Sequence, residues 1–483
     1  VLVVGAIAGV AALAGLSARA THGARTTADE PQYLLTAESL VADGDLDISN
    51  QIRLEAYLPY HEIPIDPQTT PLDASGREVS PHDPLLPALL ALPFAGAGWI
   101  GAKAALALLT ALTAGLSVWV AVHRLGVDPH SAAVAVAAAF AGLPLAGYGT
   151  QIYPEMPAAL ALLITVAVLL EPQRPASMTT RDVWVALAAI ITLPWLSIKY
   201  VPVAAMAGLA LVRRSTRTTS GPGPLPVMAV AAVAGVIYLG AHQLIYGGWT
   251  VYASGDHFVD SGELGVAGFD VDLVGRSRRL IGLLVDRGFG IATWNPAWFL
   301  AVPAVASSFR SSRHRPVAVL VATGWFTATF LALTMHGWWV PGRQLVVVLP
   351  LAALALAVWV DGDGRRRAIT AAAGAVAALN WLWLAVEATT GHATLVVDFV
   401  DTRAPFYRAL RSITPDGMRA SGLDDAVLAG WAVVLIVLAI SGWRSAASRS
   451  GMIEPAVSRS STTQPTKRTT ESDHWTDAGE TVR

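Results

Sequence analysis

The sequence predicts an all-α polytopic membrane protein, and three observations carry that reading. Hydrophobic residues make up 54% of the 483 and charged residues only 14%, with a mean hydropathy of +0.51, more apolar surface than a water-soluble core needs. Apolar runs recur along most of the chain, at lengths that cross or nearly cross a hydrocarbon layer of about 30 Å. Between them, alternate short loops carry arginine clusters (Arg213, Arg214 and Arg217; Arg310, Arg313 and Arg315; Arg365, Arg366 and Arg367), the bias that keeps such loops in the cytoplasm. The expectation is about twelve transmembrane helices in a plasma (cell inner) membrane, with both termini inside and large first and fourth outer loops.

The first run, Val1 to Leu16, reads as a membrane helix rather than a signal peptide, because no basic stretch precedes it. Residues 18–83 form the first large outer loop, within which Pro31 opens an amphipathic helix over Gln32 to Val41. Pro84 to Ile100 is apolar but interrupted by Pro87, Pro93 and glycines, so it reads as a helix along the interface. Ala102 to Val122, Ser131 to Gly147 and Met156 to Leu170 are the next spans. Val183 to Ile198 and Val201 to Val212 form a short hairpin whose tip, Lys199 between Pro194 and Pro202, sits below the membrane surface in a protein-lined cavity. Leu225 to Tyr246 leads to the second large outer loop, 247–290. Ile291 to Phe309, Pro316 to Met335, Leu345 to Val360, Ala368 to Ala388 and Val427 to Trp443 complete the bundle. Residues 1–443 thus form one transmembrane domain, and 444–483, rich in Ser, Thr and charge, read as a disordered cytoplasmic tail.

Composition also narrows the chemistry. There is no cysteine, hence neither a disulfide framework nor a thiolate metal site. The net charge of −2 says little about partners, and no nucleic acid is expected among them. The uncommon polar residues, Asp29, Glu30, His82, Asp83, Glu155, Lys199, His336 and Arg343, all fall at outer ends of predicted spans. A transporter more often sets its charges near mid-membrane on a path open to both sides, and its halves are often related. The one-sided set favours an outward-facing active site; a lipid or solute transporter and a lipid-carrier-binding scaffold of the cell envelope are the alternatives.

Several of these residues carry a resemblance. Asp29-Glu30 follows the first helix, His82-Asp83-Pro84-Leu85 leads into the second span, Glu155 lies in the next outer turn, Lys199 at the hairpin tip, and Gly337-Trp338-Trp339-Val340-Pro341-Gly342-Arg343 precedes a late span. Over roughly residues 1–360 this order resembles the GT-C superfamily of membrane glycosyltransferases, in the branch with protein mannosyltransferases and the lipid A aminoarabinose transferase. The resemblance implies a hexosyl- or pentosyltransferase. It would take a sugar from a polyprenyl-phosphate donor and pass it, with inversion, to a hydroxyl of a glycan, glycolipid or protein in cell-envelope or cell-wall biosynthesis.

An alcohol is a weak nucleophile until a carboxylate accepts its proton, and on the family pattern that base is Asp29. Glu30 orients Asp29, binds the acceptor or points away. Both are otherwise solvated acids favoured by a helix N-terminus. The departing phosphate needs positive charge, which Lys199 and Arg343 supply unless they are interface anchors. His82 is a further phosphate donor or a loop residue, and Asp83 and His336 belong to the same binding set. Tyr33 and Trp294 line the sugar or acceptor pocket, or Trp294 belongs to an aromatic belt. Asp29 and Glu155 are oxygen ligands of the kind that hold Mg or Mn; some relatives depend on a divalent cation and others do not. Asp256, His257 and Asp260 make a mixed cluster that reads as solvated loop.

Overall fold

Prolines and capping side chains start many of the helices. The computed structural model describes residues 1–69, 71–170, 178–217, 221–255, 272–418 and 421–451, so residues 452–483 and the Asp256, His257 and Asp260 cluster lie outside the described residues. In chain order the helices are α1 (Leu2–Leu13), α2 (Glu30–Ala42), α3 (Ser49–Arg53), α4 (Leu85–His123), α5 (Pro129–Phe140) and α6 (Glu155–Leu169). Next come α7 (Thr180–Leu196), α8 (Val201–Ser215), α9 (Pro224–Tyr246), α10 (Leu273–Ser277), α11 (Arg279–Val285) and α12 (Ile291–Trp294). The last are α13 (Ala297–Ser308), α14 (Arg315–Phe326), α15 (Leu349–Val360), α16 (Gly364–Thr390), α17 (Pro405–Arg411) and α18 (Gly422–Gly451). Among the described residues there are isolated bridges but no named strand.

Among the described residues, five segments, Leu85–His123, Pro224–Ser254, Arg343–Val360, Gly364–Thr390 and Gly422–Ser445, are long and apolar enough to cross a membrane, and there are five shorter apolar helices. The chain is a polytopic membrane protein, although counting helices of full span length does not reach twelve. The Arg343–Val360 segment is 78% buried, whereas those at α9 and α18 are 11% buried; α15 is therefore central and the other two face outward. At the contact of α1 with α4, a Cβ on Gly5 would come within 2.9 Å of the Ala111 carbonyl oxygen, the close backbone approach that small residues permit between membrane helices.

The interruptions expected in the second apolar run are present: α4 breaks at Ala97 and Gly98, where Gly98 takes φ 57°. The short hairpin is also present, as α7 and α8 around a 3-10 turn, Ile198–Tyr200. Other expected spans differ. The helix expected over Ser131 to Gly147 stops at Phe140, and the Ile291 to Phe309 run is two helices divided at Asn295-Pro296, because the residue before a proline is pushed to extended backbone. The run from Pro316 becomes a π-helix over Thr327–Leu331, and the one before α15 starts as a 3-10 helix, Arg343–Val348. Helix α18 continues to Gly451, past the point where the tail was expected to begin.

Candidate active site

Asp29 reaches its position through a strained turn. Ala28 has φ 50°, a backbone state unfavourable for a residue with a Cβ, and it aims Asp29 away from its own helix. Asp29 is the N-cap of α2, yet its side chain makes no capping bond. Instead, Arg343 Nη2 donates to Asp29 Oδ2 at 2.7 Å, and Arg343 Nε donates to Glu155 Oε1 at 3.0 Å. Lys199 Nζ donates to the same Glu155 oxygen at 2.5 Å. The Arg343 guanidinium lies 4.1 Å from the Tyr153 ring centroid and 5.0 Å from that of Trp339, a cation–π setting that fixes its plane. His82 Nε2 is 3.7 Å from Asp29 Oδ2, and the His82 ring packs on Tyr33 with centroids 4.5 Å apart. Five widely separated parts of the chain meet here.

Backbone geometry delivers the cations. Gly342 has φ 85°, and a Cβ there would stand 2.6 Å from Ile291 Cγ2; only glycine turns the chain sharply enough to start the 3-10 helix with Arg343 facing Asp29. Lys199 sits in the Ile198–Tyr200 turn between α7 and α8, and Glu155 in the first turn of α6, fully buried.

Burial alone would raise the Asp29 carboxyl. The Arg343 guanidinium and His82 outweigh it and hold that group well below the usual carboxylate range. Its Oδ1 accepts from no side chain or backbone N–H among the described residues, and Arg343 Nη1 likewise has no acceptor there. An unused carboxylate oxygen and an unused guanidinium edge therefore remain at a cavity of about 420 Å³ bordered by Asp29, Tyr33, His82, Lys199, Trp339 and Arg343. The lining also includes Val203 of α8, Gly324 of α14 and Thr327, Ala328 and Leu331 of the π-helix.

The remaining expected site residues divide. Asp83 borders the cavity, but its oxygens accept from His242, Tyr238 and the Ile198 backbone N–H. Glu30 points away: Oε1 accepts from Ile152 N at 2.9 Å and Oε2 from Thr27 N at 3.1 Å. Burial raises its carboxyl, opposed first by Lys103 and then by those two N–H groups. The side chain of Glu30 is thus bonded to backbone N–H groups rather than to Asp29, Lys199 or Arg343, and the structure does not bring it into the set in which a catalytic role was expected. His336 does not border the cavity; Nε2 stands 3.5 Å from Asp286 Oδ2. Trp294 does not border it either; it is fully buried, stacked on Tyr407 at 3.8 Å between ring centroids, with its indole N–H on the Gly288 carbonyl. It is neither pocket wall nor belt.

Asp29 and Glu155 were also the expected metal ligands. Arg343 bridges them, and no group of three or more His, Cys, Asp or Glu residues suited to a metal occurs among the described residues. The donor set does not fit a resident Mg or Mn ion, whose place between the carboxylates is taken by a guanidinium.

Crystal structures of ArnT from Cupriavidus metallidurans resemble the chain. The one bound to undecaprenyl phosphate is 14% identical, with 89% of this chain and 77% of that chain covered at a TM-score of 0.42. The apo structure is 17% identical, with 87% and 69% covered at a TM-score of 0.46. No family model matches the sequence. No curated protein matches it either.

Residues that sequence reading did not single out complete the site. Tyr153 packs on Arg343, and Tyr200, 3% exposed, borders the cavity with a hydroxyl that has no partner. Their adjacency to Glu155 and Lys199 was the available signal. His242 in α9 and Lys103 in α4 are ionisable residues inside apolar helices, which was the signal available for them.

Proposed function

We propose that the protein is a GT-C-type glycosyltransferase, transferring a sugar from a polyprenyl-phosphate-linked donor to an acceptor hydroxyl with inversion at the anomeric carbon. The observation that carries this reading is the convergence of Asp29, Arg343 and Lys199 on one cavity whose lining also includes apolar side chains. The donor phosphate would lie against Lys199 and the free Nη1 edge of Arg343, with the prenyl chain along Val203, Ala328 and Leu331. The bound lipid reported for one ArnT structure, undecaprenyl phosphate, is the same class of donor carrier.

In the transfer step the acceptor oxygen attacks the anomeric carbon while its proton passes to Asp29 Oδ1. The bond from that carbon to the phosphate oxygen breaks, and the charge left on the phosphate is stabilised by Lys199 and Arg343. A single displacement on the face opposite phosphate inverts the centre. Glu155 holds both cations in place, and no step runs through a metal. The polar set lies at one end of the bundle rather than along a path through it, which supports transfer over transport. Arg213 and Arg214 end α8 on the side away from the cavity, and Arg313 donates to the Arg124 carbonyl at the far end of α4. This distribution of basic residues supports a cavity facing the outside of a plasma membrane.

The test is transfer of a labelled sugar from its undecaprenyl-phosphate carrier by protein in liposomes, with and without EDTA. Asp29→Asn should lower the rate by about 10²–10⁴-fold, and the chelator should leave the parent rate unchanged. Undiminished transfer by the variant removes the proposed base.

A further inference from the structure

Helix α9 is almost bare of packing. Its buried residues are Val227, Tyr238, His242 and Tyr246, and the last three, spaced four apart, form one stripe on one face of the helix. That stripe docks on the candidate site. Tyr246 donates to the His82 carbonyl at 2.8 Å, Tyr238 donates to Asp83 Oδ1 at 3.1 Å, and His242 Nε2 lies 2.9 Å from the same oxygen. The imidazole of His242 is wholly buried, boxed by the Tyr238 and Tyr246 rings and by Trp195 of α7, with centroids 3.8, 5.1 and 5.5 Å away.

Both ring nitrogens of His242 are engaged, Nδ1 facing the Tyr238 carbonyl at 2.8 Å and Nε2 the Asp83 carboxylate. Asp83 also accepts from the Tyr238 hydroxyl and from Ile198 N at 3.2 Å, so both of its oxygens have partners.

Ile198 is the residue before Lys199. The Asp83 carboxylate thus ties the start of the Ile198–Tyr200 turn to the His82-Asp83 segment, and α9 holds Asp83. We propose that His242 and Asp83 are positioning residues for the donor phosphate: the contact between them holds the Asp83 carboxylate on the α7–α8 turn, and through that turn places the Lys199 ammonium. This rests on the phosphate-binding role assigned to Lys199. A leucine at position 242 would leave the Asp83–Ile198 bond unsupported, whereas Gln retains a donor toward Asp83.

The experiment is a double-mutant cycle read by equilibrium binding of undecaprenyl phosphate to the full-length protein in nanodiscs. His242→Leu should weaken binding about tenfold in the parent and less than about twofold when Lys199→Ala is already present, with His242→Gln recovering most of the loss. An equal loss in both backgrounds, or none in the parent, overturns the proposal. A separate readout does not depend on lipid binding. Because the chain has no cysteine, Ser197→Cys gives a single thiol beside the turn, and its labelling by a maleimide should quicken when His242→Leu is added. If the parent does not bind the lipid phosphate, the functional reading fails and the labelling decides: faster labelling upholds the tie on the turn, and an unchanged rate overturns it.

Discussion

Arg343 is asked to do three things at once: bridge Asp29 and Glu155, stack between Tyr153 and Trp339, and leave an edge for phosphate. A planar fork can do this and a single ammonium cannot, so Arg343→Lys should lower the transfer rate about 10²-fold. The pH profile carries a sign as well. Asp29 must be ionised to act as base, and Arg343 is the foremost influence that opposes burial and keeps its carboxyl depressed. With the guanidinium gone, burial pulls that value up, and the acid limb of the pH–rate profile moves to higher pH; a limb that stays put contradicts the assignment. In the parent, the depressed carboxyl contributes stability that is fully present above the ordinary value of 3.8 and is lost as pH falls through the lower folded value. The sequence pointed to Asp29, Lys199 and Arg343 as charges at the edges of apolar runs, where a solvated helix-start acid or an interface anchor is also a plain reading, and it was the resemblance in order of elements that grouped them. It did not reveal that Glu30 and Asp29 face opposite ways, since that depends on the φ 50° turn at Ala28.

At the scale of elements, the beginning of α2 is held by Glu30, whose oxygens accept from the Thr27 and Ile152 N–H groups and so tie it to the segment that carries Tyr153 and Glu155. Lys103, wholly buried in α4, donates to the Arg25 carbonyl at 3.4 Å and is the foremost charge opposing burial at Glu30, with no ion pair between the two among the described residues. Lys103→Met should destabilise the protein by about 0.5–3 kcal/mol, whereas Lys103→Met with Glu30→Gln should lose less. Thermal unfolding of the two variants checks this, and equal losses would mean that the charges do not compensate each other. The hairpin and the break in the second apolar run were legible because prolines and glycines mark them. The π-helix at Thr327–Leu331 and the 3-10 form of Arg343–Val348 were not, because the choice between these and an α-helix is a tertiary adjustment that no single residue marks. Trp294 and His336 misled for a related reason: position along the chain near a span's end says nothing about which neighbours fill the space beside it.

For the molecule as a whole, the central feature is a cavity whose charged set is assembled from α2, the His82 segment, α6, the α7–α8 turn and the segment before α15, and whose lining also includes residues of α8, α14 and the π-helix. All-helical class and membrane residence were open to the sequence through composition. Closure of those distant segments into one site was legible only as an order of elements, because nothing in spacing fixes contacts between residues 314 positions apart. The claim that this cavity holds a lipid phosphate is tested most directly by comparing equilibrium binding of a polyprenyl phosphate with that of the corresponding polyprenol, which lacks only the phosphate. The parent should prefer the phosphate by about 10²-fold, the contribution of two charge-assisted contacts, and Lys199→Ala with Arg343→Lys should remove most of the preference. Equal binding of the two lipids by the parent would contradict that claim.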